Sequence, residues 1–210
     1  MDFKEMFENE QYQVINLEHD CEIIKGRMRA DLMPTPDELT GLWDSRPKTR
    51  DTYSMYGKVV NVPRYFTFYS KRMLLTAFGG QTFCADMVKD ASYTSRVMEQ
   101  CPDKYNYNSV LVNWYMTGND YVSLHGDRER GLVQSTPIVS ISLGGSRTFQ
   151  VKKNDTKELV YQEMLNDGDC IIMKGTDFQH KYKHCIPKMI AKKHGTVLPR
   201  INLTIRSYYT

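Results

Sequence analysis

The 210-residue sequence has few of the features that would place a chain in a specialised class of protein. No apolar run approaches the length of a membrane-spanning helix, and no internal repeat or low-complexity segment is visible. The first residues carry neither the basic nor the apolar region of a secretory signal. We therefore expect an intracellular protein, in the cytoplasm or the nucleus, that does not associate with a membrane.

Cysteine pairs and strong net charge are also missing. The five cysteines are odd in number and form no Cys-x-x-Cys motif, which favours a reducing compartment over a disulfide framework. The net charge is only +3, so overall electrostatics do not require a nucleic-acid partner. The 40% hydrophobic and 25% charged residues are ordinary for a globular domain, and the 14 tyrosines can fill a β-rich core or stack on bases.

Alternating polar and apolar residues dominate the second half of the chain and predict short strands. In 109–116 the even-numbered residues are apolar, and Leu111, Asn113 and Tyr115 occupy the opposite face. Earlier, Thr35-Pro36 predicts the start of a short helix, and 83–100 is predicted to be helical as well. Many strands with a few early helices indicate an α+β, mainly β fold, a sandwich or jelly roll with an N-terminal helical layer.

Two histidines and one carboxylate suggest a metal site. His125 and Asp127 are separated by one glycine, so both side chains point to the same side if the backbone is extended, and His184 follows later. Two imidazoles and one carboxylate form the facial triad of non-haem iron enzymes. Zinc hydrolases use the same ligand types, and a His-x-Asp motif in a surface loop is common by chance, so this signal does not choose a metal.

The segment 199–206 adds a second chemistry. It alternates in polarity, so a strand places Arg200, Asn202, Thr204 and Arg206 on one face. Arginine holds carboxylates with a forked pair of hydrogen bonds, so two guanidiniums and an amide suit a small dicarboxylate. Iron together with a dicarboxylate suggests an oxygenase that consumes 2-oxoglutarate, whereas the alternative for the two arginines is ordinary surface charge on an edge strand.

In combination these motifs resemble the AlkB family of iron- and 2-oxoglutarate-dependent dioxygenases, and in particular its nucleic-acid repair branch. The resemblance covers roughly residues 58 to 208. The matching segments are Val-Pro-Arg at 62–64, Phe-Gly-Gly at 78–80, Val-Asn-Trp-Tyr at 112–115, Gly-Asn-Asp at 118–120, His-Gly-Asp-Arg-Glu at 125–129, Pro-Ile-Val-Ser-Ile-Ser-Leu-Gly at 137–144, His-Cys-Ile-Pro at 184–187 and Pro-Arg-Ile-Asn-Leu-Thr-Ile-Arg at 199–206.

The resemblance implies a role for each matching residue. His125, Asp127 and His184 would bind Fe(II) and carry the catalysis. The implied contacts to 2-oxoglutarate come from Asn113, Tyr115, Arg200, Asn202 and Arg206. The implied lining of the substrate pocket comes from Arg64, Tyr69, Phe78 and Glu129.

The resemblance also implies a fold and a reaction. The fold would be a double-stranded β-helix, or jelly roll, with N-terminal helices packed on the sheet and a substrate-recognition lid. Residues 1–57 would be an N-terminal extension that supports the lid, and 58–210 the oxygenase domain. With Fe(II), 2-oxoglutarate and O2, a monomer would demethylate bases such as 1-methyladenine and 3-methylcytosine in DNA or RNA.

The sequence motifs are also compatible with other functions. The same oxidation could act on a protein side chain or a small molecule. A nucleic-acid-binding module without activity would not need the complete set of candidate ligands, and a zinc hydrolase would have no evident use for the paired arginines.

Overall fold

The computed structural model describes residues 2–55, 57–78, 81–88 and 92–209. Within these residues the chain is mainly strand. The strands are β1 Phe7–Asn16, β2 Glu22–Met28, β3 Thr52–Met55, β4 Lys58–Asn61, β5 Tyr65–Ser70, β6 Leu75–Phe78, β7 Gln81–Cys84, β8 Asp86–Met87, β9 Ser109–Tyr115, β10 Val122–His125, β11 Ile138–Gly144, β12 Arg147–Lys153, β13 Leu159–Leu165, β14 Asp169–Lys174, β15 Tyr182–Ile186 and β16 Arg200–Arg206. The helices are α1 Pro36–Asp44, α2 Tyr93–Glu99, α3 Phe178–Lys181 and α4 Ala191–His194.

The strands form two main sheets and two hairpins. The large sheet has the order β1-β2-β14-β11-β16-β9-β5-β8, and the small sheet has the order β10-β15-β12-β13. The pairs β3–β4 and β6–β7 form separate two-stranded ribbons. Neighbours in the large sheet are antiparallel except for β5 and β8.

Two apolar cores lie on opposite faces of the large sheet. One contains residues of both main sheets, including Leu111 and Ile171 from the large sheet and Phe149 and Val151 from the small one. The other joins the opposite face of the large sheet to α1 and α2. Two sheets packed through one core, with helices on the outer face, are a jelly roll, so the predicted fold class is confirmed.

The alternation predicted for 109–116 is present in β9. Val110, Val112 and Trp114 pack on the helix side of the sheet, whereas Leu111 and Tyr115 belong to the core between the sheets. All seven residues of β9 are buried. The strand is therefore covered on both faces, as expected for a strand that carries apolar side chains on each of them.

The N-terminal residues contribute to the large sheet. Strand β2 pairs with β14, and β1 pairs with β2 at the edge. The boundary predicted after residue 57 lies in the turn between β3 and β4, and the large sheet takes strands from both sides of it. Helix α1 begins as predicted after Thr35, whose hydroxyl accepts the amide hydrogen of Glu38.

The prediction of a helix over 83–100 was wrong in its first half. Residues 81–84 form β7, which pairs with β6 as a hairpin, and the helix begins only after Ser92. The Ser92 hydroxyl caps this helix by accepting the amide hydrogen of Ser95. Hairpin pairing therefore outweighed the weak apolar pattern of that segment. In the described part of the chain, no helix has the length and apolar character needed to cross a membrane.

Candidate active site

Three candidate metal ligands meet at the pocket between the two sheets. His125 ends β10 and lies directly opposite His184 of β15 in the antiparallel pair. Asp127 follows two residues after His125, and one ligand atom from each of these three residues lies within 4.8 Å of the others. The Nε2 atom of His125 is 3.4 Å from Asp127 Oδ1, and Nε2 of His184 is 3.9 Å from Asp127 Oδ2. Both imidazoles thus present Nε2 to the carboxylate.

The backbone around Asp127 is held from two sides. The side-chain oxygen of Gln179 accepts the amide hydrogen of Asp127 at 2.8 Å, and Gln134 Nε2 donates to the Asp127 carbonyl at 3.2 Å. A Cβ atom at position 126 would lie 2.4 Å from the Gln179 carbonyl oxygen, so only glycine fits there. These contacts fix the carboxylate beside the two imidazoles.

Arg206 carries the charge opposite to Asp127. Its Nη2 lies 2.9 Å from Asp127 Oδ2, and its Nη1 donates to Glu129 at 3.0 Å. Burial alone would raise the pKa of the Asp127 carboxyl, but the charge of Arg206 and the hydrogen bond from His125 outweigh burial and lower the pKa. The carboxylate is therefore ionised, as a metal ligand must be.

His184 is held in its neutral form. Burial, helped by the nearby His125, lowers its pKa to about 3. Its ring packs against Phe149, with centroids 5.8 Å apart, and lies 4.3 Å from the ring of His125. Because a metal binds the neutral imidazole, this environment suits a metal ligand.

Arg200 lies fully buried in the same pocket and is incompletely paired. Its Nη2 donates to the Ser142 hydroxyl at 2.8 Å, while its Nε and Nη1 have no hydrogen-bond partner among the described residues. The guanidinium lies over the Tyr115 ring, 5.2 Å from its centroid. Burial lowers the Arg200 pKa to about 10, which leaves the side chain charged. A buried cation with free donors indicates a site for an anion.

A network of uncharged side chains lies between Arg200 and Arg206 along β16. Asn202 Nδ2 donates to the Ser140 hydroxyl and to the Ile141 carbonyl, both at 2.9 Å. The Thr204 hydroxyl donates to Asn202 Oδ1 at 3.0 Å, and Asn113 Nδ2 lies 3.4 Å from the same oxygen. These bonds orient the amides along the pocket floor.

One cavity connects the two groups of residues. Its lining includes both histidines and all five predicted dicarboxylate contacts, which are Asn113, Tyr115, Arg200, Asn202 and Arg206. The three ligand types match the facial triad that iron accepts, and the free donors of Arg200 match a carboxylate. The residues present therefore fit Fe(II) together with a dicarboxylate.

The four predicted substrate contacts are placed differently from one another. Arg64 lines the cavity and donates from Nε to Asn113 Oδ1 at 2.5 Å. Glu129 pairs with Arg206 beside the metal ligands. Phe78 lies in β6, but its side chain is outside the described part of the structure.

Tyr69 requires a correction. Along β5, Phe66 and Phe68 enter the core between the sheets, and the alternation of the strand sends Tyr69 to the helix side. There it packs near α1 and α2 and does not line the cavity. Its aromatic character suited either face, so only the register of β5 on β9 could place it.

Several pocket residues were missed. Ser140 and Ser142 lie on the pocket face of β11, Gln179 holds the peptide of Asp127, and Phe149 packs on His184. The alternation in 138–143 placed both serines on one strand face and could have identified them. Gln179 gave no such signal, because its partner lies 52 residues away in the chain.

A jelly roll that encloses two histidines, one aspartate and a buried arginine defines an oxygenase-type iron site. The model of the 2OG-Fe(II) oxygenase superfamily matches residues 29–206, and this chain belongs to that superfamily. The family's cofactor is Fe(II), with 2-oxoglutarate and O2 as cosubstrates. The Fe(II), 2-oxoglutarate and O2 that the sequence motifs predicted are thereby confirmed.

AlkB homologues are among the curated proteins that this chain is similar to. The chain is 33% identical over 123 residues to "Alpha-ketoglutarate-dependent dioxygenase alkB homolog 3" of Mus musculus, covering 55% of this chain and 41% of that protein. It is 31% identical over 166 residues to "DNA oxidative demethylase ALKBH2" of Mus musculus, covering 72% of this chain and 64% of that protein. The bovine ALKBH2 is 30% identical over 165 residues, with 72% of this chain and 55% of that protein covered. The chain thus spans about half the length of these curated relatives.

A solved structure supports the fold independently. The structure described as "The structure of OsALKBH1" superimposes with a TM-score of 0.59 and covers 93% of this chain and 100% of that chain. Its sequence identity is 13%, so it bears on the fold alone.

Proposed function

We propose that this protein is an Fe(II)- and 2-oxoglutarate-dependent dioxygenase that removes alkyl groups from N-alkylated bases, such as 1-methyladenine and 3-methylcytosine, in DNA or RNA. The observation that carries the proposal is the cavity that His125, His184 and the incompletely paired Arg200 line together, with Asp127 beside the two histidines. The similarity to proteins named as DNA oxidative demethylases supports the substrate class.

His125, Asp127 and His184 would hold the iron. Bound iron with 2-oxoglutarate and O2 supplies the oxidation of the alkyl carbon, while 2-oxoglutarate becomes succinate and carbon dioxide. Because the protein would supply only three ligands, the cosubstrate could bind the metal as well. Arg206 compensates the charge of Asp127 and keeps this carboxylate ionised.

Arg200 would bind the distal carboxylate of 2-oxoglutarate through its free Nε and Nη1 donors. Tyr115 covers the guanidinium and restricts its orientation. Asn113 and Asn202 line the cavity between Arg200 and the metal end. Because every group is buried, the cosubstrate carboxylates would be held away from water, where charge-assisted hydrogen bonds are strong.

The alkylated base would enter next to Arg64 and Glu129. Arg64 lines the cavity, and Glu129 lies beside Asp127 through their shared partner Arg206. Burial, reinforced by the charge of Asp127, raises the pKa of Glu129 against the opposing effect of Arg206. A base inside a duplex cannot reach such an enclosed centre, so the target must be flipped out or single-stranded.

The test is cosubstrate turnover with defined oligonucleotides. Protein loaded with Fe(II) would be given 2-oxoglutarate and matched DNA and RNA strands that carry 1-methyladenine, 3-methylcytosine or the unmodified base. We expect succinate formation to rise with a methylated strand and the methyl group to disappear by mass spectrometry. The variant Asp127→Asn serves as the inactive control. Turnover that no oligonucleotide stimulates would refute the nucleic-acid substrate.

We also propose that the protein works as an intracellular monomer. All five cysteines are free and four of them are buried, which suits a reducing compartment. Every group of the candidate site comes from one chain. Light scattering coupled to gel filtration tests the monomer, and fluorescence microscopy of the tagged protein in its own cell tests the compartment.

A further inference from the structure

Arg147 is a buried arginine that the proposed reaction does not yet use. It is the first residue of β12, and its exposed fraction is 0%. Among the described residues no carboxylate forms an ion pair with it, and its three donated hydrogen bonds all go to backbone carbonyls. Burying a charge without an ionic partner opposes folding, so the presence of Arg147 in the interior needs a physical explanation.

The three carbonyls identify what Arg147 joins. Its Nη1 donates to Ser146 O and to Leu198 O, both at 2.9 Å, and its Nη2 donates to Thr117 O at 3.3 Å. Leu198 lies two residues before Arg200, and Thr117 lies two residues after Tyr115. One guanidinium of the small sheet therefore holds the ends of two strands of the large sheet.

Those strand ends carry the dicarboxylate end of the cavity. Arg200 and Tyr115 lie opposite each other in the β16–β9 pair, and the guanidinium of Arg200 lies over the Tyr115 ring. The amide of Gly145 reinforces the junction by donating to Pro199 O at 2.7 Å. Any movement of the Leu198 or Thr117 carbonyl would shift one member of the Arg200–Tyr115 pair relative to the other.

The positive charges of Arg147 and Arg200 also connect these two residues. Arg147 and Arg200 are both buried cations without a carboxylate in ion-pair contact among the described residues, and burial lowers the pKa of each. The nearby charge of Arg147 also contributes to lowering the pKa of Arg200. The carboxylate of Asp120 offsets part of the charge of Arg147 from a distance, whereas no carboxylate does so for Arg200. A bound dianion would supply the negative charge that Arg200 lacks.

We propose that Arg147 is a positioning residue for the 2-oxoglutarate cosubstrate, which it serves by fixing the strand ends that bear Arg200 and Tyr115 and by adding a second buried positive charge behind them. This inference rests on the proposed function. Arg147 does not line the cavity, so it acts through Arg200 and Tyr115 and not by contact with the cosubstrate.

The experiment compares Arg147→Met, Arg147→Lys and a matched control. The control is Arg96→Met, because Arg96 also donates to two carbonyls, Asp31 O and Met33 O, but lies on the helix side of the large sheet. Calorimetry would measure the Kd of Mn(II), as a metal that does not turn over, and then the Kd of 2-oxoglutarate for the Mn(II)-loaded protein. Turnover with Fe(II) would give the KM for 2-oxoglutarate and for the methylated oligonucleotide separately.

Arg147→Met should raise the Kd and the KM for 2-oxoglutarate about tenfold, as expected if the displaced Arg200 loses one of its hydrogen bonds to the cosubstrate. Arg147→Lys keeps the positive charge but lacks the forked donors of the guanidinium. It should therefore raise the Kd and the KM for 2-oxoglutarate less, about threefold. The Kd of Mn(II) and the KM for the oligonucleotide should not change, and Arg96→Met should leave all four constants unchanged.

Two results would overturn the inference. One is an unchanged Kd for 2-oxoglutarate in both Arg147 variants. The other is an equal loss of Mn(II) and 2-oxoglutarate binding, which would make Arg147 a general structural residue. If circular dichroism shows that Arg147→Met does not fold, the Arg147→Lys variant decides by the same criteria. Failure of the unaltered protein to bind 2-oxoglutarate would instead refute the proposed function, and the inference with it.

Discussion

Strand β16 presents two buried faces to different parts of the molecule. Ile201, Leu203 and Ile205 belong to the hydrophobic core on the helix side. The other four residues, Arg200, Asn202, Thr204 and Arg206, line the cavity between the sheets. All seven residues are buried, so exposure does not distinguish the faces.

The difference lies in what burial does to the free energy of folding. On the apolar face, each Å² of apolar surface that is removed from water stabilises the fold by roughly 25 cal/mol. On the polar face burial opposes folding unless each charge finds a partner, and the free donors of Arg200 have none among the described residues. One strand therefore carries stability on one face and binding capacity on the other.

The largest expected effect is at the metal end of the polar face. Asp127→Ala removes the carboxylate ligand and leaves Arg206 without the ion pair to that ligand, so metal binding and turnover should fall below detection. Calorimetric titration with Mn(II) measures the first loss and succinate formation the second. Asp167→Ala, which removes an exposed carboxylate, is the control, and wild-type metal affinity in Asp127→Ala would contradict the site.

Neighbouring substitutions on β16 test the two faces directly. Leu203→Ala opens a cavity in the helix-side core and should lower the free energy of unfolding by about 2–5 kcal/mol. Thr204→Val on the cavity face loses one hydrogen bond, to Asn202 Oδ1, and should cost about 1 kcal/mol. Urea titration measures the free energy of unfolding of both variants. An equal decrease in the two variants would mean that the two faces contribute equally to stability.

Arg200→Met should separate binding from stability. We expect the KM for 2-oxoglutarate to rise about 10- to 100-fold, since hydrogen bonds to charged groups contribute roughly 1.5–3 kcal/mol. The metal-free protein should not lose stability, because a buried cation with free donors is removed. Initial rates and thermal unfolding measure the two effects. Arg27→Met, which removes an arginine with a largely exposed side chain, is the control, and an unchanged KM in Arg200→Met would contradict the cosubstrate face.

The last prediction concerns the stability of the protein in acid. The folded-state pKa of His184 is about 3 because of burial, below the ordinary value of 6.5, so between these values the unfolded chain binds a proton that the folded chain does not. The metal-free protein should therefore lose stability as the pH falls from 6.5 towards 3.

His184→Gln should remove that part of the pH dependence. Chemical unfolding at several pH values measures it, with His19→Gln as the control because the side chain of His19 is 52% exposed and lies outside the cavity. An unchanged slope in His184→Gln would mean that His184 is not protected from protonation.

Local patterns in the sequence were enough for much of the site. The alternation in 199–206 placed both arginines and Asn202 on one face, and the spacing of His125 and Asp127 put two candidate ligands together. These inferences succeeded because side-chain direction along a strand follows from its period of two. The same rule gave no help with Tyr69, since a tyrosine suits either face.

The amino-acid sequence by itself determined the two faces of β9 and β16, the kinds of metal ligand and the superfamily. Only the tertiary structure decided which distant segments meet: His125 opposite His184, Gln179 on the peptide of Asp127, and Arg147 on Thr117 and Leu198. Such contacts depend on which strands pair and on how the two sheets pack, and a local pattern of polarity does not identify the distant partner.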